Sequence, residues 1–145
     1  MDVITGINAA AAAAVRSPIP FERLSLRLNW CAAEEREYEL KYEGGKLICS
    51  EYFGFWQADE EREKCLENRL TLGEDKYNEI CRRIGELGVR EWYERSWDNP
   101  NVLDGESFRF SITEGGKRYE ADGTNAWPKG YREFCTMLTE IFKQA

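Results

Sequence analysis

Two Gly-Gly pairs, Gly44-Gly45 and Gly115-Gly116, each stand between runs in which apolar and polar residues alternate. Glycine accepts the positive φ that tight primed turns require, so such a pair between alternating runs marks a β-hairpin. Alternation with period two puts one side-chain set on each face of a sheet. Before the first pair, Leu24, Leu26, Leu28 and Trp30 alternate with Arg23, Ser25, Arg27 and Asn29. Tyr38, Leu40 and Tyr42 then alternate with Glu37, Glu39 and Lys41. Leu47 to Phe53 follows the turn as a third strand. Around the second pair, Phe108, Phe110 and Ile112 alternate with Arg109, Ser111 and Thr113, and Lys117 to Ala121 returns as a fifth.

Helical spacing appears twice. Tyr77, Ile80, Cys81, Ile84 and Leu87 form one apolar stripe, with Gly88 as a stop. Thr71 and Glu74 read as a capping box in front of it. Tyr131, Phe134, Leu138, Ile141 and Phe142 form a second stripe, where Pro128 suits the first helical turn. The polar stretch 57–71 suggests a short helix around Asp59 to Leu66. The order is βββ-α-ββ-α, which predicts an α+β fold: an antiparallel sheet of about five strands with helices packed on one face. At 145 residues the chain has room for one domain. Residues 21–145 are the expected domain, and 1–20 an Ala-rich N-terminal tail whose run Ala9–Ala14 Asn8 could cap. Its short apolar stretch and acidic start do not make a secretory signal.

Composition removes several chemistries. The chain has no histidine, so Ser-His and Cys-His nucleophilic pairs and His-containing zinc sites are absent. Cys31, Cys49, Cys65, Cys81 and Cys135 contain no C-x-x-C pair. An odd, dispersed set mostly within apolar patterns reads as reduced thiols of a cytoplasmic protein. No phosphate loop, dinucleotide fingerprint, EF-hand or nucleophile elbow occurs. These absences predict no metal, no cofactor and no enzyme.

Candidate sites lie elsewhere. Tyr52, Phe53 and Phe55 read as core aromatics, whereas Trp127 sits in a turn, where function concentrates. Trp97, Asn125 and Trp127 are therefore the candidate pocket of a small ligand-binding domain or enzyme. Asp122-Gly123-Thr124-Asn125 reads as ordinary turn chemistry. The stretch Asp104–Ile112, with Gly123-Thr124-Asn125-Ala126-Trp127-Pro128 and the Tyr131/Phe134/Leu138 helix, resembles a pattern in small uncharacterised proteins of anaerobic gut Firmicutes. The resemblance implies a bacterial setting and this fold, and brings no activity with it.

Charge is distributed unevenly. Residues 31–80 hold 14 Asp/Glu and 7 Lys/Arg, while the rest of the chain is balanced, so the whole net charge of −7 lies there. Glu34, Glu35, Asp59, Glu60, Glu61, Glu63, Glu67, Glu74 and Asp75 form a candidate surface for a basic protein partner. An acidic surface also serves solubility alone. With a pI near 4.8, direct contact with nucleic acid or an anionic membrane is not expected. The leading expectation is a non-enzymatic protein-binding domain of bacterial or phage origin. By analogy with small acidic anti-CRISPR proteins, its specific form is an inhibitor occupying a basic nucleic-acid-binding cleft. The oligomeric state is open.

Overall fold

The computed structural model describes residues 16–30, 34–54, 56–101 and 105–143. The alanine run, Asn8, Cys31, Phe55 and Asp104 lie outside the described residues, as do the side chains of Trp30, Glu34 and Asp59. Seven strands form one sheet: β1 Arg23–Trp30, β2 Glu34–Glu43, β3 Lys46–Gly54, β4 Leu66–Leu72, β5 Arg95–Asp98, β6 Glu106–Glu114 and β7 Lys117–Thr124. Their spatial order is β4-β3-β2-β1-β6-β7-β5. All pairings are antiparallel except β5 with β7. Helices α1 Asp59–Glu63, α2 Glu74–Glu86 and α3 Tyr131–Phe142 complete the fold, with a 3-10 turn at Val89–Trp92.

The α+β class holds, but the sheet has seven strands rather than about five. β4 is an edge strand whose Leu66, Leu70 and Leu72 are only partly buried, so its sequence is mostly polar. A register shift between Glu51 and Tyr52 further breaks its alternation. β5 has four residues, too few to show a period. The capping box is also replaced. Thr71 belongs to β4, and Gly73 caps α2 without a side-chain hydrogen bond. Glu74 and Asp75 instead occupy the first turn, where carboxylates favour the positive end of the helix dipole. Helix α3 starts at Tyr131 behind Gly130, and Pro128 stands in the preceding turn.

The hairpin glycines adopt the expected left-handed conformation. Gly44 and Gly45 have φ of 57° and 76°, and Gly115 and Gly116 have 60° and 79°. Each loop thus has two positive φ values, the geometry that suits the twist of the flanking strands. The two hairpins meet on β1, which pairs with β2 on one side and β6 on the other.

The sheet has two unlike faces. On one, Leu24, Leu26, Leu40, Leu47, Cys49, Phe108, Phe110 and Ile112 are almost fully buried. Ile80, Cys81 and Ile84 of α2 and Phe134, Met137 and Leu138 of α3 join them in one cluster. Trp92 stands edge-on between Phe110 and Phe134, with ring centroids 5.3 Å from each. Each such side chain contributes roughly 1.5–3 kcal/mol relative to exposure. The two long helices share this face. Short α1 lies against the other, charged face, where its Arg62 reaches Glu37 and Glu39 of β2.

Residues 16–20, expected as the end of a tail, form a strap across α2. Ile19 is fully buried and its amide donates to the carbonyl of Cys81 at 3.0 Å. Arg90 donates to the carbonyls of Ser17 and Pro18 at 2.6 and 3.0 Å. Gly85 permits this approach, because a Cβ there would run into the Ser17 carbonyl. Gly85→Ala is therefore expected to destabilise the fold by about 1–3 kcal/mol in denaturant titration, although alanine favours helices more than glycine does. A stabilised variant would refute the strap.

Cys49, Cys65, Cys81 and Cys135 are free thiols. Burial pushes Cys49 from 9.0 up to about 12, and Tyr38 from 10.0 up to about 12 against the opposing charge of Arg36. Both groups are neutral when protonated, so the unfolded chain releases these protons first. Their contribution is fully present below pH 9 and is lost as pH rises from about 9 to 12. Thermal melts should show the midpoint falling over that window, and Cys49→Ser should remove part of the slope.

Candidate functional site

The turn after β7 and the start of α3 frame a cleft. Asn125, at φ 57°, receives a hydrogen bond from the Glu106 amide on its Oδ1 at 3.1 Å and returns its own amide to the Glu106 carbonyl at 2.9 Å. This double link fixes where the chain leaves the sheet. Two residues on, Trp127 lies on the surface, 42% exposed, and is the exposed large hydrophobic residue among those described. Its ring stacks on Tyr131, with centroids 6.4 Å apart and planes 28° from parallel.

Trp127 and Tyr131 line a cleft of about 600 Å³ whose rim carries Glu106, Arg132 and Glu133. A second hollow of about 280 Å³ shares Glu106, Tyr131, Cys135 and Thr139 with it and is floored by Leu28 and Tyr38. The two hollows together make a socket: an aromatic wall, an apolar floor and a charged rim. Burial raises the Cys135 thiol above its ordinary range, although the Tyr131 hydroxyl acts in the opposite direction. It is therefore protonated near neutrality, a poor nucleophile.

Of the three residues expected at a pocket, Trp127 lines the cleft and the other two support it. Asn125 is the turn clamp just described. Trp97 points inward from β5 with its ring 6.4 Å from Phe108, which in turn lies 4.9 Å from Tyr131. Trp97, Phe108, Tyr131 and Trp127 thus form a continuous row of rings ending at the surface. Leu28, Tyr38, Tyr131 and Cys135 were missed as site residues. Their alternating or helical spacing reads as core, and only the end of the sheet makes them a floor.

Of the seven candidate acidic residues whose side chains are described, four are engaged by other groups of the protein. Glu35 pairs with Arg27, and Glu67 lies 3.3 Å from Arg36, which also binds Glu51 at 3.0 Å. Glu63 accepts from the Tyr52 hydroxyl at 3.1 Å and pairs with Arg69, while Glu61 accepts from the Gln57 amide. Glu60 is exposed without an ion pair among the described residues, and so are Glu74 and Asp75. Glu67 and Glu74 stand near opposite ends of β4 Leu66–Leu72, the first within it and the second just after it. The side chains of Glu34 and Asp59 lie outside the described residues.

The most enclosed part of this network centres on Arg62, 16% exposed, which lies over the Tyr52 ring at 4.5 Å. It donates to Glu37 at 2.7 Å and to Glu39 at 3.4 Å. Burial works against its charge, but the hydrogen bond and charge of Glu37, with Glu39, outweigh that and raise it above the usual arginine range. Its Nε is buried without a hydrogen-bond partner among the described residues.

No group of three His, Cys, Asp or Glu that could hold a metal ion occurs among the described residues, and no described helix is long and apolar enough to cross a membrane. Comparison of the chain with protein-family models, curated proteins and solved structures returns no match.

Removing Arg62 strands Glu37, which is 8% exposed and accepts no other described side-chain hydrogen bond. Arg62→Ala should therefore cost about 2–4 kcal/mol in urea unfolding. Glu60→Lys, at an exposed carboxylate, should change stability by less than about 0.5 kcal/mol. Equal effects of the two substitutions would deny Arg62 its anchoring role.

Proposed function

We propose that the protein is a non-enzymatic protein-binding domain whose partner seats a large apolar side chain in the Trp127 cleft. The observation that carries this reading is the 42% exposure of Trp127 on the wall of a hollow of about 600 Å³. Leaving an indole in water forgoes the free energy of burying it, and rigid aromatic anchors dominate the energetics of protein interfaces. The stacked Trp127–Tyr131 pair offers a flat π surface, and the second hollow adds an apolar floor. Two carboxylates and one guanidinium on the rim supply polar contacts around that anchor. The raised Cys135 thiol and the lack of histidine support a binding role over covalent catalysis.

The acidic segment supports a second reading, the inhibitor of a basic nucleic-acid-binding cleft. Its favouring observation is that Glu60, Glu74 and Asp75 are exposed and free of ion pairs among the described residues. The two readings respond differently to substitution. A partner seated on Trp127 loses about 2 kcal/mol or more of affinity on Trp127→Ala and responds weakly to salt. A partner held by carboxylates associates more slowly as salt rises, and is lost when Glu60, Glu74 and Asp75 are changed to Lys.

The direct test titrates the 15N-labelled protein with N-acetyltryptophanamide and N-acetylleucinamide. Saturable shifts at Trp127, Tyr131 and Cys135 are expected, weakened at least about tenfold by Trp127→Ala. Shifts that do not saturate, or that survive the substitution, would overturn the assignment of the cleft.

A further inference from the structure

The charged face of the sheet carries a separate hollow. On this face Arg62 covers Tyr52 of β3 and Glu37 of β2, and Trp56 packs between Tyr52 and Arg27 of β1, while a hollow opens over β1, β6 and β7 beyond Arg27. A cavity of about 370 Å³ lies there, walled by three arginines and three acids: Arg27, Arg109, Arg118, Glu37, Glu120 and Asp122. Four of the six are already matched inside the protein. Arg27 pairs with Glu35, Glu37 with Arg62, and Arg118 with Glu120.

Arg109 and Asp122 remain. They face each other in register across β6 and β7, both exposed, yet neither side chain makes a hydrogen bond or ion pair among the described residues. On its other side Arg109 faces Arg27 across β1 and β6. Like charges at facing positions are unfavourable, and the opposite charge of Asp122 on the other side is not closed into an ion pair with Arg109 among the described residues, so both groups stay open to the hollow. Positions that break a local rule in this way are where function is expected.

We propose that this hollow binds a small zwitterion, its carboxylate on Arg109 and its ammonium on Asp122. The guanidinium fork matches a carboxylate with two parallel hydrogen bonds, which a point charge does not offer. The walls sum to zero charge, so a simple anion meets Asp122 and Glu120, and a simple cation meets Arg109 and Arg27. A molecule carrying both signs satisfies both leftover groups at once. The volume admits a ligand of amino-acid to dipeptide size. This site is distinct from the Trp127 cleft and does not depend on it.

The test follows the 1H–15N spectrum of the full chain during titration with serine and with glycylglycine. Acetate and methylammonium serve as the two halves. Saturating shifts at Ser111 and Asp122 are expected with the zwitterions, with each half at least about tenfold weaker. Arg109→Gln and Asp122→Asn should each weaken binding about tenfold or more, and Arg109→Lys severalfold, because charge without the fork is retained. Trp127→Ala should leave the affinity unchanged. Acetate binding as tightly as serine would overturn the proposal in favour of a plain anion site. Shifts that fail to saturate by about 50 mM, or affinities indifferent to both substitutions, would show that Arg109 and Asp122 serve only each other.

Discussion

A sheet with one dry face and one charged face must neutralise its charges from within, and much of this molecule follows from that constraint. Strict alternation along β1 and β2 sends Leu24, Leu26, Tyr38 and Leu40 under the long helices, and Arg23, Arg27, Glu37 and Glu39 to the opposite side. Arg23 pairs with Glu39 and Arg27 with Glu35, both across neighbouring strands. The loop after β3 then folds back over the remaining acids, bringing Arg62 onto Glu37. Trp56 is buried in the same movement, near Tyr52 and beneath the Arg27 guanidinium. A segment rich in Asp and Glu is thereby tied down by arginines, two of which come from β1.

This accounts for the difference between charge counted along the chain and charge displayed on the surface. Counting residues 31–80 leaves out Arg23 and Arg27, which precede the window yet neutralise acids within it. Strand pairing, not proximity in sequence, decides which charges meet. The same holds for the cleft. Trp127 stood out because a tryptophan in a turn has little nearby to bury it. Its floor, Leu28 and Tyr38, comes from β1 and β2 and is brought beside the cleft only because β1 pairs with β6 from the other half of the chain.

What was legible followed from period and punctuation. The Gly-Gly turns, five of the strands and the two long helices each carry a strong local pattern, and local pattern survives without knowledge of neighbours. β4 and β5 lacked one. β4 has a bulged register and lies at an edge, while β5 has four residues and gains its place by parallel pairing with β7. The apparent capping box misled because Thr71 and Glu74 satisfy a spacing rule while belonging to different elements. Ile19, between two prolines, carried no periodic signal, yet it is fully enclosed against α2.

The position of β1 also sets an order of events. Its partner β2 follows within a few residues, whereas its other partner β6 begins at Glu106, more than seventy positions downstream. During synthesis the first hairpin can form early, but one edge of β1 stays open until most of the chain has emerged. Closing that seam joins segments far apart in sequence, which makes it a slow step compared with hairpin or helix formation. A growing chain therefore spends time with a central strand exposed as though it were an edge, its two arginines and one serine alternating with three leucines. The charged half of that alternation, besides serving the finished sheet, discourages another chain from taking the seat of β6 in the meantime.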